Sequence, residues 1–507
     1  MHPLVKGCAL LVMGLAAGSA IAQEAVPQAQ DSYYVAARQA LKARLGETPR
    51  TGPAKNVILF IGDGMGVSTL TAARILAGQR LGLDGESYSL TMDTLPYTAL
   101  VRTYTHDAQV ADSAPTATAM TTGVKTRNTI IGLDQSAAVG DCAGSKTRSV
   151  RTLFEMAEAA GLATGVVSTA RITHATPAST YAHIAHRDWE NDSKLSAQAK
   201  AEGCIDIARQ MIEWPAGDGF EVMLGGGRAQ FLPADQIDVE DAGAKGLRGD
   251  GRDLIAAWRK VNPKGAYVWN AKDFDAVDPS TTGKLLGLFQ RDHMTYEGDR
   301  AADPGGEPSL ADMTAKAIAM LQRSPQGYVL MIEAGRVDHA HHEGLAGRAL
   351  EETIALDAAV KRALAMVNLD ETLIVVTADH SHGLTISGYP KRGNPILGTV
   401  QGQSGKVAKA PDGKAYTTLS YATGPGGVDG PRADPATTDT TAPGYRQAAL
   451  VPSRSAAHSG EDIALRAIGP QAHLLQGTIE QNLIFHVMAR ALGGRVASEA
   501  QVAGSID

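Results

Sequence analysis

The chain of 507 residues is 44% hydrophobic and 20% charged, enough apolar surface for a packed core and too much for a disordered chain. A formal net charge of −7 argues against a general nucleic-acid binder, whose surface is basic. Aromatics at 5% disfavour sugar or base stacking as the main task, and 55 glycines without a collagen period predict many tight loops.

Residues 1–22 read as a secretory leader: Lys6, an apolar run over 9–17, then Ala20-Ile21-Ala22 as a small-x-small cleavage signal. The run is shorter than the roughly 20 residues that a bilayer crossing needs. The stretch 490–507 is polar and offers no hydrophobic tail to exchange for a lipid anchor. An exported product, periplasmic or secreted and without a membrane anchor, is expected. Cys8 leaves with the leader. The remaining pair, Cys142 and Cys204, favours a disulfide in an oxidising compartment over two buried thiols.

Residues 23–55 form a polar, Ala-rich N-terminal arm with a short helix predicted over 35–45. Apolar strands are predicted at 56–61 (NVILFI), 164–168 (TGVVS), 221–224 (EVML), 328–332 (YVLMI) and 373–377 (LIVVT). Helical patterns lie between them at 68–77, 150–160, 310–323 and 346–367. Continuous apolar strands alternating with amphipathic helices predict an α/β fold, with a large, mostly parallel central sheet flanked by helices on both faces. The stretch 385–450 is rich in Gly, Pro and Thr, with a weak strand signal at 414–421, and reads as an inserted loop-rich subdomain. The expected layout is one α/β domain from 56–384 and 451–492, the insert, and a polar tail from 493–507.

In open α/β sheets, function gathers at the carboxyl ends of the strands. The first strand here ends in Gly62-Asp63-Gly64-Met65-Gly66, and the second is followed by Arg171-Ile172-Thr173-His174-Ala175-Thr176-Pro177. The fourth runs into Glu333-Ala334-Gly335-Arg336-Val337-Asp338-His339-Ala340-His341-His342, and the fifth ends in Thr377-Ala378-Asp379-His380-Ser381-His382. A lone Asp or His in such a place is usually a polar loop residue or a helix cap. Several on one rim are what a metal centre needs. Asp plus His without thiolate suits catalytic zinc, and oxygen ligands suit magnesium. Asp338 and His342 share a helical face at i,i+4. The mixed ligand types point to more than one ion, and two close ions clamp an in-line phosphoryl displacement. Asp112-Ser113-Ala114-Pro115 opens a helix whose N-terminus favours anions. Taken alone, that segment makes Ser113 an N-cap. The triple Gly225–Gly227 reads as a turn.

Together these motifs resemble those of the alkaline phosphatases. The resemblance rests on Asp63-Gly64-Met65-Gly66, on Asp112-Ser113-Ala114 leading to Thr122-Gly123-Val124-Lys125, and on His174-Ala175-Thr176-Pro177. It continues through the Glu333–His339 and Thr377–His382 motifs to His458-Ser459-Gly460-Glu461-Asp462. It runs in order from near residue 56 to near 492, nearer to the vertebrate-type branch than to the enteric bacterial one. It implies hydrolysis of small phosphate monoesters through a phosphoserine, with two Zn2+ and one Mg2+ per subunit, in a homodimer, and no nucleic acid as a dedicated partner. Ser113 would be the nucleophile. Arg187 would clamp two phosphate oxygens, a geometry that a bidentate guanidinium suits, and Asp112 would orient it.

Further ligand sets follow from the same resemblance. Asp338, His342 and His458 would hold one zinc, and Asp63, Asp379 and His380 the other. Asp63, Thr176 and Glu333 would hold magnesium. His174 and His339 would lie just outside the magnesium ligands, and His339, His341 and His382 would be supporting or solvent-facing rather than ligands. Cys142 and Cys204 match a family disulfide. Vertebrate relatives hold calcium partly through a Phe-Glu pair. Here the pair is Phe289-Gln290, which loses the charge and calls a calcium site into question. Competing readings are a phosphodiesterase or sulfatase of the same superfamily, or a non-enzymatic exported zinc-binding protein. The sulfatase C/S-x-P-x-R pattern fails at Ala117, and a zinc scavenger does not explain Ser113 and Arg187 together.

Overall fold

A computed structural model describes residues 26–496, in two compact units divided between Thr48 and Pro49. The predicted leader, 1–22, and residues 497–507 of the predicted tail lie outside the described residues. In the first unit a 3-10 turn, Pro27–Gln30, precedes the helix Ser32–Leu45. Asp31 caps that helix by accepting the backbone N–H groups of Tyr33 and Tyr34.

In the second unit the strands run β1 (Asn56–Gly62), β2 (Tyr97–Arg102), β3 (Ala163–Arg171), β4 (Val222–Gly226), β5 (Ala266–Val268), β6 (Leu285–Leu288) and β7 (Tyr328–Ala334). They continue as β8 (Thr372–Ala378), β9 (Ser381–His382), β10 (Leu384–Ile386), β11 (Leu419–Gly424), β12 (Ala449–Pro452), β13 (His458–Ser459), β14 (Ile463–Ile468) and β15 (Gly477–Glu480). Ten of them form one sheet in the order β15-β2-β14-β8-β1-β7-β3-β4-β6-β5. From β8 to β5 every pairing is parallel, whereas β14 lies antiparallel between β8 and β2.

The apolar runs explain this sheet. Successive strand residues point to opposite faces, and β1, β7 and β8 are buried at every position, so both faces are covered. Each fully buried Ile or Phe, such as Ile58 or Phe60, contributes about 1.5–3 kcal/mol. The long helix Ala346–Met366 packs against Leu310–Leu321 and Val67–Arg80 beside this sheet. Over 385–450 the chain forms no long helix. Its strand β11 pairs with β10 and β12 in a separate small sheet. Cys142 and Cys204 are disulfide-bonded, with Cα atoms 5.9 Å apart. No described helix is long and apolar enough to cross a membrane.

The triple glycine is only partly the turn read from sequence. Gly225 and Gly226 complete β4, and Gly227 alone turns the chain, at φ +95°. A Cβ on Gly226 would lie 2.2 Å from the Asp292 carbonyl oxygen, so the close loop needs glycine there.

Candidate metal centre and active site

Strand register gathers the candidate ligands. Gly62 pairs with both Ala334 and Ala378, so β1, β7 and β8 end level. Asp63 follows β1, Glu333 lies one residue inside the end of β7, and Asp379 and His380 follow β8. His174 and Thr176 follow β3. Because β14 runs the opposite way, its beginning returns to this rim. Just before it, His458 is paired with His382 across β13 and β9. The helix Arg336–His342 continues from β7 and stacks Asp338 above His342.

Around Asp338, the Nε2 atoms of His342 and His458 lie 3.3 and 3.4 Å from its carboxylate and 3.1 Å from each other. A tetrahedral zinc with bonds of about 2.0–2.1 Å spaces its ligands about 3.3 Å apart. His342 Nδ1 faces the Ala456 carbonyl at 2.7 Å, and His458 Nδ1 faces that of Ala111 at 2.8 Å. Each Nδ1–H therefore donates to a carbonyl, which leaves the Nε2 lone pairs turned to the shared space. A second set has His380 Nε2 3.3 Å from both Asp63 Oδ1 and Asp379 Oδ2. A third set is oxygen-rich. Asp63 Oδ2, Thr176 Oγ1 and Glu333 Oε1 are all buried without a hydrogen-bond partner, a costly state that a hard cation removes. Ser168 donates to the other Glu333 oxygen.

The buried carboxylates crowd one another. Burial, then the charges of Asp379, Asp338 and Glu333, holds the Asp63 carboxyl well above the usual carboxylate range. Burial likewise pushes Glu333 up to about 7 and raises Asp379. Burial opposes ionisation of Asp338 too, but His342, His382 and His458 hold it well below the ordinary value.

Ser113 is not the N-cap. Asp112 takes that place, accepting the Ala114 N–H at 2.8 Å, and Ser113 is the first residue of the helix Ser113–Thr122. This frees the Ser113 hydroxyl, which lies 3.1 Å from His380 Nε2 and 3.4 Å from Asp63 Oδ1. The second Asp112 oxygen accepts the Thr129 N–H at 2.7 Å. Arg187 reaches Asp112 through NH1 at 3.4 Å and His174 Nε2 through NH2 at 3.0 Å.

Of the two alternatives read from sequence for His341 and His382, supporting or solvent-facing, burial leaves the first. His382 places Nε2 2.5 Å from Asp338 Oδ1, and His341 links Thr69 Oγ1 to the Tyr421 hydroxyl. Sequence reasoning missed His293 altogether. It lies in the loop after β6, against His174 and His339. The strand-end rule would have found it, had the short β6 been recognised. Gln290 offers its amide to Asp303 Oδ1 and Glu307 Oε1, both at 3.3 Å, while Arg228 pairs with Asp238 and Glu240.

Known proteins share this architecture. The sequence model of the alkaline phosphatase family matches residues 54–493. The tissue-nonspecific alkaline phosphatase of Gallus gallus is 46% identical over 446 residues, covering 86% of this chain and 84% of that protein. Its Homo sapiens counterpart is 40% identical over 489 residues, covering 94% and 92%. Among solved structures, Thermus thermophilus alkaline phosphatase superposes with a TM-score of 0.63 at 24% identity, over 89% of this chain and 94% of that one, and supports the fold. With a serine hydroxyl, an arginine and three candidate metal-binding groups on one rim, the chain belongs to the alkaline phosphatase family and is a phosphoric monoester hydrolase.

Proposed function

We propose that the enzyme works through a phosphoserine at Ser113, with two zinc ions and one magnesium ion per subunit. Asp338, His342 and His458 hold one zinc. Asp63, Asp379 and His380 hold the other, and Asp63, Thr176 and Glu333 hold magnesium. The ligand spacings of 3.1–3.4 Å and the three unpartnered buried oxygens support this assignment. When bound, the ions supply Lewis acidity, offsetting phosphate charge and making nearby hydroxyl and water more acidic.

The chain's own groups do the rest. Arg187 clamps two phosphate oxygens, held in place by Asp112, and the N-terminus of the Ser113–Thr122 helix adds its dipole. Ser113 Oγ attacks phosphorus in line. The Oγ–P bond forms as the bond to the ester oxygen breaks, the serine proton leaves to solvent, and the alcohol departs with a proton in its place. Water then attacks from the vacated side, releasing inorganic phosphate and restoring the hydroxyl. Nothing beyond the phosphate is gripped in this scheme, so alcohol groups of many shapes are accepted.

The observation that carries the reading is the placement of Ser113 Oγ between His380 and Asp63. Acid quenching during turnover of p-nitrophenyl phosphate tests it. Mass spectrometry should find phosphate on Ser113. Ser113→Ala should lose the adduct and on the order of a thousandfold or more in kcat. An adduct elsewhere, or undiminished turnover, would remove the central step. The chain is further proposed to be an exported homodimer, periplasmic or secreted, with 385–450 as an inserted subdomain near the two-fold axis. The disulfide and the resemblance support this.

A further inference from the structure

Beside the phosphate clamp lies a group of side chains that this chemistry leaves unused. His174, His293 and His339, all half-buried, bring one ring nitrogen each within 4.8 Å of the others. Ring centroids are 5.3 Å apart for His174–His293, 5.4 Å for His174–His339 and 3.9 Å for His293–His339. Such a triangle invites a cation, but the arginines around it decide otherwise. Arginine is always a donor, so the nitrogen it meets must be the acceptor. Arg187 NH2 takes His174 Nε2 at 3.0 Å, and Arg336 NH1 takes His339 Nδ1 at 3.1 Å. The Arg171 backbone N–H takes His293 Nδ1 at 3.1 Å.

His174 and His339, when neutral, therefore keep their protons on Nδ1 and Nε2, whereas His293 meets an Arg171 donor at each ring nitrogen. The His174 Nδ1–H is buried without an acceptor, and so is the Arg336 Nε–H. At His293 either tautomer sets a ring N–H against an Arg171 donor, the guanidinium lying 2.6 Å from Nε2 and the backbone N–H 3.1 Å from Nδ1. Donors outnumber acceptors in this patch. Its three arginines are matched by three carboxylates, but unevenly. Glu190 and Asp292 balance Arg171, and Asp112 balances Arg187, but Arg336 has no carboxylate within ion-pair distance among the described residues. It lies over the Tyr296 ring at 3.7 Å instead. Asp292 is one competitor, its carboxylate 3.9 Å from His293 Nε2 and largely in solvent.

We propose that these three arginine-pinned imidazoles form an anion subsite next to Arg187, which receives a second phosphoryl or carboxylate group carried by the substrate. An anionic oxygen there accepts from donors that otherwise oppose each other. The proposal rests on the reading of Arg187 as the phosphate clamp. It makes the enzyme favour monoesters that carry another acidic group close to the scissile phosphate.

Ethyl phosphate and 2-phosphoglycolate differ by that acidic group and serve as probes, with inorganic pyrophosphate as a phosphoryl-bearing third. KM and kcat are measured on metal-saturated wild type, His293→Ala and His293→Gln, the last keeping an N–H donor. In wild type, KM should be lower for 2-phosphoglycolate and pyrophosphate than for ethyl phosphate. His293→Ala should raise KM for both by about tenfold relative to ethyl phosphate, the worth of one charge-assisted hydrogen bond, with His293→Gln in between. Equal shifts for all three substrates would overturn the subsite. So would the loss of one zinc equivalent from His293→Ala in metal analysis, which would make the triangle a cation site. Absence of the Ser113 adduct would strike the phosphoserine reading alone, because the ratio between substrates is read at His293.

Discussion

Gly64 is the residue with least room in the centre. Its φ is +68°, and a Cβ there would lie 2.7 Å from His382 Cδ2 and 3.2 Å from Asp338 Oδ1. Its N–H also donates to Asp379 Oδ1 at 3.0 Å, so one glycine touches the surroundings of both proposed zinc sites. Gly64→Ala should fold, but bind zinc more weakly and lose most of its kcat; metal content after dialysis checks this, and wild-type zinc retention would refute it. Arg187→Lys keeps the charge and loses the fork. It should lower kcat/KM by about 10–100-fold and weaken inhibition by inorganic phosphate in parallel. At this scale the sequence was legible where chemistry is unusual and silent where it is ordinary. Asp63, Glu333 and Asp379 stood out as acids at the ends of apolar strands. Ser113 did not, because a serine before a run of small residues is the commonplace start of a helix. Its own segment does not mark it; the family resemblance does, and the structure sets its hydroxyl 3.1 Å from His380, 267 residues later in the chain.

Among elements, β14 matters most for assembling the site. A sheet of purely parallel strands would carry the segment before β14 to the far rim; the reversal brings His458 back beside His382. The strands predicted from sequence were those buried on both faces. Short β5 and β6 escaped notice, and so did β2, whose alternating exposure breaks the apolar run. The helix Ala346–Met366 holds a further testable feature. Glu352, buried on it, accepts the Glu297 N–H at 2.6 Å, and burial pushes its carboxyl up to about 8. A raised acid binds its proton more tightly folded than unfolded. Its stabilising effect is complete below the unfolded value near 4.5 and fades as pH rises towards 8. Glu352→Gln keeps an oxygen for Glu297 and has no proton to lose. Its Tm should exceed that of wild type at pH 9 and converge with it near pH 5. A constant difference across that range would exclude the linkage.

For the whole molecule, the sheet edge concentrates Asp63, Glu333, Asp338 and Asp379 in a buried space. Stripping the ions should abolish hydrolysis and also lower Tm, because bound metal stabilises the fold by about 4 kcal/mol when present at a thousand times its Kd. Zinc plus magnesium should restore both properties, and calorimetry with and without chelator checks it. An unchanged Tm would mean that the carboxylates are satisfied by protein groups. The fold class was readable because double burial leaves a plain mark in composition. The small sheet of 385–450 was not, since its strands are short and their partners lie far apart in sequence.

The spread of the centre along the chain, from Asp63 to His458, has a consequence for biogenesis. A ribosome must deliver nearly the entire polypeptide before the last imidazole can join the first carboxylate. Any fragment cut short before β13 lacks His458, one of the side chains proposed to hold zinc. On the proposed ligand assignment, a chain that ends before β13 should therefore show no phosphate-ester hydrolysis, whatever else of the sheet it completes.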